Sequence, residues 1–144
     1  MEMNRRNFLC GALLTALGTT AGFVENAEAA TGVKKLSDGT VEVTPASVNA
    51  FTKVGGVVLL GDVNGTPAAL VKTGANQYDA LSLRCTHAGV TVKPTSGGFY
   101  CDPQRGGHGS GFTKTGAVNH GPATSPLKKL TVTPQSAGKK LIIS

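Results

Sequence analysis

The segment CTHAGVTVKPTSGGFYCDPQRGGHGSGF, residues 85–112, decides how the rest of the chain is interpreted. It places Cys85 and His87 two residues apart, and Cys101 and His108 further along on a second glycine-rich turn. A single cysteine or histidine would carry little information, but a Cys/His pair repeated on two turns indicates a metal site. We therefore expect these four side chains to be metal ligands.

Two kinds of metal centre suit two cysteines and two histidines. One is a single tetrahedral zinc ion, and the other is a 2Fe-2S cluster with both cysteines on one iron and both histidines on the other. Structural zinc sites usually place the cysteines close together and the histidines in a separate pair, whereas each turn here contributes one of each. The interleaved order favours the cluster.

The composition favours strands over long helices. The chain of 144 residues contains 20 glycines and 7 prolines, with 5% aromatic residues and no tryptophan. Such a composition is typical of short strands joined by many turns. We expect one all-β domain.

The order of polar and apolar residues predicts where several strands lie. Residues 40–44 alternate, and Asn64-Gly65 separates the apolar runs 57–60 and 68–71 as in a β-hairpin. One helical turn is expected within 45–51. Further strands are expected at 78–83, 90–93, 98–100, 117–119, 127–132 and 140–143.

The first 29 residues resemble a twin-arginine export signal. Arg5-Arg6 precede an apolar stretch, residues 8–24, that carries no charge, and Ala27-Glu28-Ala29 has the small-x-small pattern of a cleavage site. We expect cleavage after Ala29 and a mature body, residues 30–144, in the periplasm. The alternative is that residues 8–24 remain as an uncleaved membrane anchor.

The basic character of the chain does not indicate nucleic-acid binding. The formal net charge is +6, but the basic residues are scattered and the longest runs are pairs such as Lys34-Lys35 and Lys128-Lys129. A nucleic-acid surface would concentrate them in a stripe or patch. We expect a solvated basic surface that can also dock electrostatically onto an acidic protein.

Four short motifs resemble the two ligand loops and the proline loop of the Rieske iron-sulfur family. They are Cys85-Thr86-His87-Ala88-Gly89, Phe99-Tyr100-Cys101, His108-Gly109-Ser110-Gly111-Phe112 and Gly121-Pro122-Ala123. The resemblance covers roughly residues 78–132. It implies a Rieske-like antiparallel β-sandwich with a small cluster-binding subdomain, about residues 84–113, inserted into it.

The resemblance also implies a role for each site residue. Cys85 and Cys101 would bind the inner iron of a 2Fe-2S cluster, and His87 and His108 the outer iron near the surface. Other contacts to the cluster region would come from Gly89, Ser110 and Pro122.

The second ligand loop departs from the family pattern. The family's loop reads Cys-x-x-His, whereas six residues, Asp102 to Gly107, separate Cys101 from His108 here. Val90 and Gly107 also stand where high-potential members have two cysteines joined by a disulfide. We expect the extra residues to loop outward, and a cluster more labile than in disulfide-clasped relatives.

These features predict a periplasmic one-electron carrier, either free or as a subunit of a redox complex, without a substrate pocket of its own. The expected partners are proteins: a quinol oxidoreductase, the large subunit of an oxidase, or a cytochrome c. The alternative is a non-redox structural or interaction domain in which the Cys2His2 site holds zinc or has lost its cluster.

Overall fold

The computed structural model describes residues 31–144, so the predicted export signal, its predicted cleavage site and the anchor alternative at residues 8–24 lie outside the described residues. No helix in residues 31–144 is both long and apolar enough to cross a membrane. Strands make up most of the regular structure. They are β1 Val33–Lys35, β2 Val41–Val43, β3 Val57–Val63, β4 Thr66–Gly74, β5 Gln77–Ser82, β6 Lys93–Thr95, β7 Gly98–Tyr100, β8 Gly111–Thr113, β9 Val118–His120, β10 Lys129–Leu130, β11 Val132–Gln135 and β12 Lys140–Ile143.

The strands form three four-stranded sheets in which the paired strands run antiparallel. The outer sheet has the order β1-β2-β12-β11, the central sheet β10-β5-β4-β3, and the distal sheet β6-β7-β8-β9. The all-β fold class predicted from the sequence is therefore confirmed.

The central sheet is buried on both faces. Val58 and Leu70 point into a core shared with the outer sheet, while Val57, Ala69 and Val71 point into a second core shared with the distal sheet. Because successive side chains of a strand point to opposite faces, a strand covered on both faces needs an almost continuous apolar run. This requirement explains the runs at 57–60 and 68–71.

The predicted hairpin at Asn64-Gly65 is confirmed. It joins β3 to β4, and both turn residues have positive φ, +49° for Asn64 and +81° for Gly65. A two-residue hairpin turn of this kind matches the twist of the flanking strands, and asparagine followed by glycine is the pair that adopts it most readily.

Two local predictions between residues 45 and 93 differ from the structure. Residues 45–51 form two short 3-10 turns instead of one, because Val48 between them is extended. The strand expected at 90–93 lies at Lys93–Thr95, since Val90 and Val92 are hydrogen-bonded back to the chain before them, to Cys85 and Leu83.

The closing strand predicted at 127–132 is divided between two sheets. Residues of β10 pair with β5 in the central sheet, and those of β11 pair with β12 in the outer sheet. Thr131, between them, exchanges two main-chain hydrogen bonds with Ser144. Residues 127–132 contain no glycine or proline at this change of sheet, so the sequence gave no signal of the break.

The chain between β5 and β10, residues 83–128, is an insertion into the central sheet, which we call the inserted segment. Its two ends meet: the Ser82 N–H donates to the Lys128 carbonyl at 2.8 Å, and Lys129 pairs with Leu81. The inserted segment contains the whole distal sheet, which continues to His120, beyond the predicted subdomain end near 113. It also contains all four predicted metal ligands.

Candidate metal centre

The first ligand loop, Cys85 to Val90, is a tight turn beyond the central sheet. The Cys85 N–H donates to the Val90 carbonyl at 2.8 Å, and the Gly89 N–H donates to the Cys85 carbonyl at 2.7 Å. Gly89 has a φ of +75°, a conformation that a glycine adopts at little cost. The turn leaves Cys85 buried and His87 exposed.

The second ligand loop, Cys101 to Ser110, closes in a similar way despite its length. The Cys101 N–H donates to the Ser110 carbonyl at 2.8 Å, and the Gly109 N–H donates to the Cys101 carbonyl at 2.9 Å. The added residues include a short exposed 3-10 turn, Pro103–Arg105. The extra length is thus taken up by a turn at the surface, and His108 stays at the base of the loop.

The two loops bring the four predicted ligands together as two pairs. The ring centroids of His87 and His108 are 4.8 Å apart, with the ring planes at 75°. Cys85 and Cys101 lie together in the core under the distal sheet, where these residues are 2% and 0% exposed. Within residues 31–144, no three or more His, Cys, Asp or Glu side chains are gathered in the manner of a single-ion site.

Hydrogen bonds aimed at the sulfur of Cys85 favour its thiolate. Burial acts to raise the pKa of Cys85, but the N–H of His87, the hydroxyl of Ser110, the thiol of Cys101 and the N–H of Ala88 overcome it, and the pKa lies below its ordinary value. The thiolate is the form in which cysteine binds a metal.

Cys101 has the opposite shift. Burial raises the pKa of Cys101, the neighbouring Cys85 sulfur and the Asp102 carboxylate raise it further, and the N–H of His108 acts in the opposite direction. Two buried sulfurs that receive N–H bonds, beside two exposed imidazoles, form a donor set that fits a 2Fe-2S cluster.

A third loop closes over the other two. Ser110 is fully buried, and its hydroxyl oxygen accepts a hydrogen bond from the Ala123 N–H at 3.0 Å. The Thr86 hydroxyl donates to the Ser125 carbonyl at 2.6 Å. Pro122, the residue expected to cover the third side, is exposed in this loop. The first and second ligand loops are therefore each tied to the proline loop.

The position before His108 admits only a glycine. A Cβ atom on Gly107 would lie 2.7 Å from the carbonyl oxygen of Asp102 and also 2.7 Å from the carbonyl carbon and the sulfur of Cys101. Both cysteines among residues 31–144 are free thiols. The long second loop thus leaves no space for a disulfide partner at the position where the family resemblance would put one.

Two sets of contacts at the site had no signal in the sequence. One is the link from Thr86 to Ser125, which joins residues far apart in the chain. The other is an ion pair between Lys93 and Asp102, with Nζ 2.9 Å from Oδ2. Charged and hydroxyl residues are common in loops, so only the folded arrangement shows which of them meet.

A groove of about 1080 Å³ lies away from the predicted ligands. Its walls come from the outer and central sheets and include Phe51, Tyr78, Val132 and Leu141. None of the four predicted ligands lines it.

Comparisons with known proteins agree with one another. Residues 46–131 match the model of the Rieske 2Fe-2S domain family. The cytochrome b6-f complex iron-sulfur subunit 2 of Trichormus variabilis is 30% identical over 147 residues, covering 91% of this chain and 80% of that protein.

Two solved structures are also similar. The plasma-membrane Rieske protein PetC3 of Synechocystis is 28% identical with a TM-score of 0.47, covering 55% of this chain and 77% of its own. The ferredoxin of carbazole 1,9a-dioxygenase from Nocardioides aromaticivorans is 21% identical with a TM-score of 0.43, covering 64% of this chain and 86% of its own.

Proposed function

Because this chain belongs to the Rieske 2Fe-2S domain family, we propose that it is a periplasmic one-electron carrier whose cluster is held by Cys85, Cys101, His87 and His108. The cluster as cofactor and the electron-carrier role follow from membership of the family.

The observation that carries the ligand assignment is the contrast in burial of the four side chains. Cys85 and Cys101 are buried in the core under the distal sheet, whereas His87 and His108 are exposed, with their ring centroids 4.8 Å apart. When bound, the cluster supplies reversible one-electron transfer. The buried thiolates keep water from one side of the site, and the exposed imidazoles leave the other side open to a redox partner.

Three neighbouring residues support the same assignment. Gly89 allows the tight bend that turns the N–H groups of His87 and Ala88 toward the Cys85 sulfur, and Ser110 adds a hydroxyl donor to that sulfur. Pro122 lies on the loop that is tied to Ser110 and to Thr86. We assign these residues to the shaping of the cluster pocket and not to direct ligation.

The ligand assignment is tested by His108→Ala, with His120→Ala as its matched control. His120 is the third histidine of the chain, exposed on β9. We expect purified wild-type and His120→Ala protein to contain iron and sulfide, to be reddish-brown, and to give the low average g value of a mixed Cys/His cluster when reduced. His108→Ala and Cys101→Ser should lose that signal. A colourless wild-type protein that carries one zinc ion would establish the non-redox alternative.

The proposed compartment depends on the N-terminal segment. We expect the mature protein to begin at Ala30 and to be found in the periplasmic fraction, and we expect Arg5→Lys with Arg6→Lys to retain it in the cytoplasm. An intact N-terminus recovered with the membranes would support the anchor at residues 8–24 instead. In either case the cluster would face the periplasm.

The proposed partners are redox proteins that dock on the edge formed by His87 and His108. A named relative is a subunit of a cytochrome b6-f complex. For this chain a quinol oxidoreductase, the large subunit of an oxidase, and a cytochrome c are the candidates. Stopped-flow reduction of cytochrome c by the reduced protein, repeated over a range of ionic strength, tests the last of these, because electrostatic docking slows as salt increases.

A further inference from the structure

The ion pair between Lys93 and Asp102 joins the two ligand loops. Lys93 is the first residue of β6, shortly after the first loop ends at Val90, and Asp102 directly follows Cys101 in the second loop. Their Nζ and Oδ2 atoms are 2.9 Å apart, and the side chains are 41% and 17% exposed. The pair therefore connects β6, the strand that follows the first loop, to the start of the second loop.

Asp102 organises the long loop with every oxygen it has. Its Oδ2 atom binds Lys93, while its Oδ1 atom accepts from the Gln104 N–H at 2.9 Å and so caps the 3-10 turn. Its main-chain oxygen accepts from the N–H of Arg105 at 3.0 Å and of Gly107 at 2.9 Å. The residues that lengthen the loop are thus gathered around a single carboxylate residue.

The hydrogen bonds of Asp102 continue to His108. The N–H of Gly107, before His108, is bound to Asp102, and the N–H of Gly109, after it, is bound to the carbonyl of Cys101. The main chain of His108 is fixed on both sides by the two residues that begin the loop. A movement of Asp102 would pass directly to the imidazole that faces His87.

We propose that Lys93 and Asp102 are positioning residues: their ion pair holds the long second loop in the conformation that keeps His108 against His87. The proposal rests on the ligand assignment above as far as the cluster is concerned. The pair connects the loops where the position before His108 has no space for a disulfide. It differs from a disulfide in that salt weakens it.

The experiment compares Asp102→Asn, Lys93→Met and the double variant with Asp79→Asn and Lys129→Met. The control pair, Asp79 and Lys129, is of similar length at 3.0 Å but lies between β5 and β10 in the central sheet. Asp102→Asn keeps an oxygen that can accept from the Gln104 N–H but removes the negative charge and the second oxygen that pair with Lys93. Both singles are therefore expected to fold while lacking the ion pair.

The first measurement uses cluster-free protein and does not depend on the ligand assignment. Amide hydrogen exchange at Gly107 and Gly109, followed by NMR, should be about two- to fivefold faster in Asp102→Asn and in Lys93→Met, as expected for loss of a partly exposed ion pair. The double variant should be no faster than the faster single. Exchange at these two amides that matches the wild type and the Asp79→Asn control would overturn the proposal.

The second measurement uses the cluster-loaded protein. Loss of visible absorbance in a chelator should be about two- to fivefold faster in both singles, and high salt should bring the wild type toward them. The reduced spectra should show broadened g values, which report altered histidine placement. Effects of opposite sign in the two singles would mean that the charges act on the cluster through space, and would refute positioning.

The two arms separate this inference from the function on which it rests. If the wild-type protein holds no cluster but the exchange rates change as expected, the positioning role of the ion pair stands and the ligand assignment fails. If the cluster is present and neither exchange nor cluster loss responds to the variants, the ligand assignment stands and the positioning role of the ion pair fails.

Discussion

The two cores on either side of the central sheet are built differently. The core under the outer sheet is filled by apolar side chains, mostly aliphatic, with Phe51 among them. The core under the distal sheet receives side chains from the same central strands, such as Ala69 and Val71, and also includes both cysteines of the site. The first is held mainly by burial of apolar surface, and the second depends in addition on specific polar contacts between loops.

This difference shows which changes each region tolerates. Apolar burial is not directional. The outer and central sheets with the core between them, which we call the frame, should therefore tolerate changes of hydrogen bonding at their edges. The two ligand loops and the proline loop, which we call the metal end, are held by individual hydrogen bonds, such as those from Thr86 to Ser125 and from Ala123 to Ser110. Removing one of these bonds is expected to alter the site while the frame stays folded.

The largest expected effect is in the frame. Leu70 is fully buried in the core under the outer sheet, so Leu70→Ala should lower the free energy of unfolding by about 2–5 kcal/mol. The visible spectrum of the folded fraction should not change. Chemical denaturation with Val54→Ala as the control, at a residue that is 62% exposed, measures this. An altered cluster spectrum in Leu70→Ala would show that the two cores are not independent.

The next effect is at the metal end. In Gly107→Ala the new Cβ would meet main-chain atoms of Cys101 and Asp102, and such overpacking costs about 1–3 kcal/mol. We expect low iron content together with a frame that still unfolds cooperatively. Gly97→Ala is the matched control, because a Cβ at Gly97 meets no atom within 4 Å. Normal iron content in Gly107→Ala would contradict the tight packing of the second loop.

A smaller effect is expected from Ser110→Ala. The hydroxyl donates to the Cys85 sulfur, and a donor to sulfur stabilises the more negative reduced state. If the bond strengthens by about 1 kcal/mol on reduction, its loss lowers the reduction potential by roughly 40 mV. Potentiometric titration beside Ser125→Ala checks this, since Ser125 takes part through its main-chain oxygen. A raised potential would exclude Ser110 as a donor.

The smallest effect lies in the turn between β1 and β2, far from the metal end. Asp38 accepts hydrogen bonds from the hydroxyl and the N–H of Thr40, which lower the pKa of its carboxyl. A lowered folded-state pKa means that Asp38 stabilises the fold above its unfolded pKa of about 3.9 and loses this contribution as the pH falls through the folded value. Asp38→Asn should be slightly less stable than wild type at pH 7, and the difference should shrink in acid. A difference that grows as the pH falls would contradict it.

The frame was largely predictable because its signals are local. The alternation at 40–44 and the Asn64-Gly65 turn each specify a strand or hairpin from neighbouring residues alone. The sequence could not show that the stretch at 127–132 changes sheet, because β10 and β11 are distinguished by partners distant in the chain. Periodicity reports which faces are buried and not which sheet buries them.

At the metal end, the candidate ligands were predictable, but the path of the second ligand loop was not. The two glycine-rich turns carry the Cys/His pairs, so the candidate ligands could be named from their spacing. Whether the residues between Cys101 and His108 separate the two histidines depends on where the loop goes, and that path is set by Lys93, Asp102 and the close packing of Gly107. None of these residues belongs to a recognisable motif.

The meeting of the two ends of the inserted segment, at Ser82 and Lys128, has a consequence for how this protein can vary. A segment that leaves and re-enters its host at one point can change in length without shifting any strand of the host. The second loop, four residues longer than the family's Cys-x-x-His pattern, is such a change, absorbed within the insertion. Residues 83–128 can thus vary within one continuous stretch of chain, while Val57, Ala69 and Val71 of the central sheet still complete the core beneath the distal sheet.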